Sequence, residues 1–250
     1  MAEEDIQAKV LQVPGTKQVR MGSYVYIKQD GDKDYPRILF LGNSVTLHGP
    51  KEDIGWSGNW GMAASTREKD YVHLLEKRVD DALRGQPGAH AAYCIAQGSV
   101  WERDITMLQY DDAFKAARDF RPDIITCALG ANTPREIFER GRFMDGLAGL
   151  LRYLAGGDDL RRVLVCSNFW QETAEMPKNS ALREMARKNG CAYVDLSDVL
   201  LDERNRAAGL FWHEGVANHP GDLGMQAIAD AMAPALLAFV KDVCTEKTLK

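Results

Sequence analysis

Short apolar runs recur along the chain, each followed by a glycine turn, a polar break or an amphipathic stretch. Ile38 to Leu41, Ala91 to Ala96, Ile124 to Leu129, Val163 to Cys166 and Ala192 to Leu196 read as buried strands. Between them the apolar positions fall at helical spacing, predicting helices over about 63–83, 111–120, 138–154 and 180–189, and a last helix within 220–243. Tyr71, Leu74, Leu75 and Val79 form the apolar stripe of the first helix, with Lys69, Asp70 and Glu76 toward solvent. Strands alternating with helices imply βαβ units with right-handed crossovers. The fold class is therefore α/β, with a parallel sheet of about five strands between helical layers.

Residues 1–36 stand apart as an extension with one or two strands. Val19 to Lys28 alternates partially, and the polar segment 29–34 reads as a turn before Pro36. The main domain is expected to span 37–245. At 250 residues and 45% hydrophobic, the chain suits one domain with a large core. No internal repeat or interdomain linker is visible.

Charge and cysteine usage narrow the function classes. A net charge of −5 without a concentrated basic stripe argues against nucleic acid as a partner. Cys94, Cys127, Cys166, Cys191 and Cys244 form no close pair, and the odd count leaves at least one unpaired within the chain. The five histidines show no paired ligand spacing, so neither a metal nor another cofactor is expected. The start lacks the basic and apolar regions of a leader, and no run approaches the roughly 20 apolar residues of a membrane span. A cytoplasmic location follows for the chain as it stands, or a periplasmic or secreted one if a leader was removed; the oligomeric state stays open.

The chemistry gathers where strands end. Gly42-Asn43-Ser44 follows the first core strand and opens toward a helix, a place where serine is presented to the crevice of an open α/β sheet. The same tripeptide would also serve as a plain helix cap. Gly98 follows the second strand, Asn132 the third, and His219 lies in the last loop before the C-terminal helix. In a doubly wound sheet all four reach one edge. An alcohol needs a neighbouring base to act as a nucleophile at neutral pH, and histidine has suitable basicity. Acyl transfer also places charge on a carbonyl oxygen, for which the backbone N–H groups of Ser44 and Gly98 and the Asn132 amide are the candidate donors.

The loop from His48 to Met62 holds Trp56 and Trp60 among four glycines, and such loops often carry binding contacts. Trp56 and Trp60 are candidate substrate-binding residues, with capping of the core edge as the alternative. His48, close to Ser44, and His213, beside Trp212, are candidates to line the pocket, although a structural hydrogen bond would account for either. His73, between Val72 and Leu74 on a helix, reads as structural.

Gly42-Asn43-Ser44, the glycine after the second strand, Gly130-Ala131-Asn132 and His219-Pro220 together resemble the four blocks of the SGNH (GDSL-type) hydrolase superfamily, over about residues 37–243. The resemblance implies a flavodoxin-like three-layer α/β/α sandwich and ester hydrolysis through an acyl-serine, often on acetylated sugars or lipids. One position departs from the pattern. The family usually has Asp three residues before the catalytic histidine, where this chain has Val216. Glu214 is the candidate acid; a backbone carbonyl in its place, or low activity, are the alternatives. The expected function is a serine esterase acting on acetyl or other short acyl esters of a carbohydrate. A catalytically impaired binding module is the rival, and a flavin-binding protein, which would be coloured, a more distant one.

Overall fold

The computed structural model describes residues 11–12, 24–28, 36–85, 90–105, 110–139, 141–170, 172–174 and 176–248. Its strands are β1 (Leu11–Gln12), β2 (Tyr24–Lys28), β3 (Arg37–Gly42), β4 (Ala92–Gln97), β5 (Ile124–Ala128), β6 (Val163–Cys166) and β7 (Ala192–Val194). They form one sheet in the order β1-β2-β4-β3-β5-β6-β7. The run from β4 to β7 is parallel, and β1 and β2 add antiparallel strands at one edge. Within the five parallel strands the order is that of flavodoxin-like folds, so the chain switches direction across β3 and opens a crevice there. The polar segment 29–34 and residues 19–23 lie outside the described residues.

Alternation along β3 shows why helices cover both faces. Leu39 and Leu41 enter one apolar cluster, Ile38 and Phe40 the other, and all four are fully buried. On the first face pack α2 (Ser99–Arg103), α3 (Tyr110–Asp119), α5 (Arg142–Ala155) and α6 (Lys178–Lys188), through residues such as Trp101, Phe114, Leu151 and Leu182. On the second pack α1 (Tyr71–Leu83) and α8 (Asp222–Thr248), through Leu75, Val79, Ile228, Met232 and Leu236. The result is a three-layer α/β/α sandwich. By length and composition α8 would suit a membrane span, yet Met225, Ile228, Met232, Leu236, Val240 and Val243 bury one side of it in this core.

Two helices differ from their sequence pattern for local reasons. The first begins at Tyr71 rather than near residue 63, because Ala63 adopts a left-handed φ of 77° and Asp70 caps the helix by accepting from His73 N. The segment expected as one helix over 138–154 is divided between the end of α4 (Arg135–Glu139) and α5, which starts after Gly141 at φ 67°. The short α7 (Glu214–Ala217) precedes the histidine loop. All five cysteines are free.

Candidate active site

Ser44 sits in the turn that follows β3, and that turn is closed by close packing. A Cβ at Gly42 would lie 1.8 Å from Thr46 Oγ1, whose hydroxyl pairs with Tyr71 at 2.7 Å in the core. Only glycine lets the turn pack this tightly against Thr46, and the turn runs on into the tryptophan loop, not into the helix expected after Ser44. The Ser44 carbonyl accepts from Met62 N at 2.8 Å, which ties the tryptophan loop to the turn.

His219 arrives from the other end of the chain. Its Nε2 lies 2.8 Å from Ser44 Oγ, and its Nδ1 lies 2.6 Å from the carbonyl oxygen of Gly215. A carbonyl only accepts, so Nδ1 carries the proton and Nε2 is left as the acceptor facing the serine hydroxyl. Burial drives the His219 pKa down to about 4; the Gly215 carbonyl opposes the shift and nearby His48 adds to it.

The expectation that Glu214 orients His219 is corrected here. Glu214 begins α7 and is exposed, while the neighbouring backbone carbonyl occupies the acid's place. The turn of α7 aims the Gly215 oxygen at the ring, and Val216 is buried in an apolar cluster with Trp56, Met62, Ala63 and Ala207 at the pocket wall. Asp222, the next acid along the chain, accepts instead from Ser65 N, Ser65 Oγ and Lys69 Nζ, each at 2.8 Å.

Of the three expected oxyanion donors, Gly98 is also corrected. Its N–H donates to the Gly42 carbonyl at 2.7 Å, continuing the β3–β4 ladder by one rung. Ser44 N–H has no acceptor among the described residues, and Asn132 lines the pocket. Asn132 Nδ2 donates to Glu102 Oε1 at 2.5 Å, and Gly130 N donates to Glu102 Oε2 at 2.5 Å. Glu102 is fully buried; burial raises its pKa, against these hydrogen bonds and the nearby Asn43 side chain, whose Nδ2 forms no hydrogen bond of acceptable geometry. Lys178 Nζ donates to the carbonyls on either side of Asn132, those of Ala131 at 3.1 Å and Thr133 at 2.7 Å. The Asn132 loop is thus held through side chain and backbone together.

The pocket around Ser44 encloses about 290 Å³. His48 and His213 line it as anticipated, His48 with its Nδ1 donating to the Gly49 carbonyl at 2.6 Å. Trp56 and Trp60 do not. Trp56 is 3% exposed and donates to the His48 carbonyl at 3.1 Å, while Trp60 stacks edge-on to it and donates to the Ala64 carbonyl at 3.0 Å. They form the interior of their own loop, because two indoles in a glycine-rich segment bury each other. The aromatic ring at the pocket is Trp170, edge-on to His219 with centroids 6.4 Å apart. Sequence reasoning also missed Glu102, Lys51, Arg103, Lys178 and the Gly215 carbonyl. Only Lys51, in the glycine-rich loop, carried any signal. Among the described residues no group of three His, Cys, Asp or Glu side chains is placed to hold a metal.

Residues 40–227 match the model of the GDSL-like lipase/acylhydrolase family. The comparison with curated proteins gave no match. Among solved structures, the fold is similar to LAE5, an alpha/beta hydrolase enzyme from the metagenome of Lake Arreo, Spain (TM-score 0.53, 19% identity, 82% of this chain and 97% of that one). It is also similar to the psychrotrophic esterase EstA from Pseudoalteromonas sp. (0.51, 13%, 82% and 99%) and to CEX, a two-domain esterase active on acetylated mannans (0.54, 16%, 82% and 49%). A family match over most of the chain, on a fold that brings Ser44 and His219 into contact, makes this protein a member of the GDSL-like lipase/acylhydrolase family and a carboxylic ester hydrolase.

Proposed function

We propose that the protein hydrolyses short acyl esters through an acyl-enzyme on Ser44. The reading is carried by the 2.8 Å contact between Ser44 Oγ and His219 Nε2, with Nδ1 already engaged by Gly215. His219 Nε2 takes the hydroxyl proton as Oγ attacks the ester carbonyl carbon. The charge that develops on the carbonyl oxygen meets Ser44 N–H and the second N–H of the Asn132 amide. The proton then passes from Nε2 to the leaving alcohol oxygen. Water attacks the acyl-serine carbonyl and gives a proton to Nε2, which returns it to Ser44 Oγ as the Oγ–acyl bond breaks and the carboxylic acid leaves.

In this assignment the Gly215 carbonyl replaces the usual acid. A carbonyl dipole fixes tautomer and ring orientation, but stabilises the imidazolium less than a full negative charge would. Burial lowers the His219 pKa, and the Gly215 carbonyl offsets that only in part. A rate below that of an acid-equipped site is the consequence, rather than loss of the reaction.

An acetyl ester of a carbohydrate is the substrate class this reading favours. A pocket of about 290 Å³ with Trp170 at its wall suits a small acyl group beside one sugar ring, and the similar fold of CEX serves an esterase active on acetylated mannans. Stacking on Trp56 and Trp60 plays no part. The test is hydrolysis of p-nitrophenyl acetate, butyrate and octanoate by wild type and Ser44→Ala. Turnover of acetate over octanoate, abolished by Ser44→Ala, is expected. Turnover that survives Ser44→Ala would overturn the acyl-serine, and no turnover of these or of acetylated sugars would leave a binding module.

A further inference from the structure

The walls of the pocket are positive in a chain whose net charge is −5. Lys51 and Arg103 carry that charge, and no acidic residue lines the pocket among the described residues. Glu102 and Glu214, close to lining residues in sequence, do not line it. Glu102 lies beneath the site, turned to Gly130 and Asn132; Glu214 is exposed at the start of α7. Asp53 is 70% exposed and meets Lys51 at 3.4 Å, a solvent-screened pair of little strength.

Arg103 is the more telling cation. It ends α2 at the pocket edge and makes no ion pair or side-chain hydrogen bond among the described residues. A guanidinium presents a planar fork of donors that matches the paired oxygens of a carboxylate or phosphate. Across the pocket, His213 Nδ1 is buried without a hydrogen-bond partner. Lys51 and Arg103 both act on His48, lowering its pKa along with the larger effect of burial, so their charge reaches into the pocket.

We infer that the ester bound here carries an oxyanionic group, carboxylate or phosphate, on its alcohol portion, held by Arg103 and Lys51 while the acyl group lies at Ser44. This rests on the acyl-serine reading above. An acetyl group carries no charge, so for the acetyl ester favoured above the anion belongs to the alcohol. For a sugar it would be an acylated uronic acid or an acylated sugar phosphate.

The experiment compares three acetates that share one leaving ring, 4-acetoxybenzoate, 4-acetoxybenzamide and 4-acetoxyphenyl phosphate, in wild type, Arg103→Gln and Lys51→Gln. Differences in leaving-group reactivity cancel in the ratios between variants. At low salt the kcat/KM ratio of an anionic ester to the amide should fall about tenfold in Arg103→Gln, and should also fall in wild type on raising ionic strength. Which anion shows the larger fall separates carboxylate from phosphate. Ratios unchanged by either substitution and by salt would overturn the inference. Calorimetric binding of benzoate, phenyl phosphate and benzamide to Ser44→Ala reads the same preference without chemistry. An anion preference there that Arg103→Gln removes, with no ester turned over, would sink the acyl-serine reading alone; equal binding of all three would sink this one.

Discussion

Asn132 Nδ2 donates to the buried carboxylate of Glu102, 30 residues earlier in the chain, at 2.5 Å. The other Glu102 oxygen accepts from Gly130 N, so both carboxyl oxygens face donors and the Asn132 amide is held with Nδ2 turned toward Glu102. With Nδ2 fixed there, its second N–H is the donor that remains for an oxyanion. A glutamine at 102 has one acceptor and one donor end, and would favour the amide turned over.

The consequence is a coupled loss of rate. Asn132→Ala should lower kcat by about 10²–10³-fold, as removal of one oxyanion donor does elsewhere. Glu102→Gln should lower kcat with KM little changed, and should cost almost nothing further in the Asn132→Ala background. Equal losses in both backgrounds would show that Glu102 acts on the fold and not through Asn132.

Orientation of His219 by a backbone carbonyl separates two neighbouring residues. Glu214→Gln should leave kcat within about twofold, since the exposed side chain makes no contact with the ring. Gly215→Ala should be costly, because its Cβ would meet His213 Cε1 at 2.8 Å and Nδ1 at 3.0 Å. Displacing the carbonyl by even about 1 Å can cost on the order of 10²-fold in rate. Adding His213→Ala removes the obstacle and should restore part of kcat; steady-state kinetics of the single and double variants decide it.

The pH profile follows from burial of the same ring. A base whose pKa is lowered to about 4 stays neutral, and competent to accept the serine proton, well below the ordinary histidine range. With a neutral ester, kcat/KM should hold level from pH 8 down to about 5 and fall as pH drops through about 4. An acid limb at 6.5 or above would contradict this.

Trp170, not Trp56, should carry the substrate contact that the sequence suggests for the tryptophan loop. Trp56→Ala removes a ring that is 3% exposed and packs on Trp60 and Phe211, so a loss of about 3–5 kcal/mol is expected in denaturant unfolding. Trp170→Ala should lower kcat/KM with a smaller loss of stability, because that ring is partly exposed at the pocket.

The alternation of strands and helices, and the placing of Ser44, Asn132 and His219 at loop ends, were legible in the chain because each depends on local pattern. A buried run ends, a turn follows, and the residue after it is presented at the edge of the sheet. Helix starts were less legible where one residue, Ala63, takes a left-handed conformation that composition does not announce.

What the tertiary structure alone decided are the partners of groups that could serve several ends. The Gly98 N–H could have met substrate, but the register of β4 beside β3 commits it to Gly42. Trp56 could have faced a ligand, but it buries against residues from the distant segment 207–216. The tautomer of His219 could have been set by a carboxylate, but the turn of α7 brings a main-chain oxygen, which every residue carries and no sequence pattern marks. Presentation of a side chain is set by its neighbours along the chain; its hydrogen-bond partner is set by whichever distant group the packing brings within 3 Å, and that information exists only once the layers have closed.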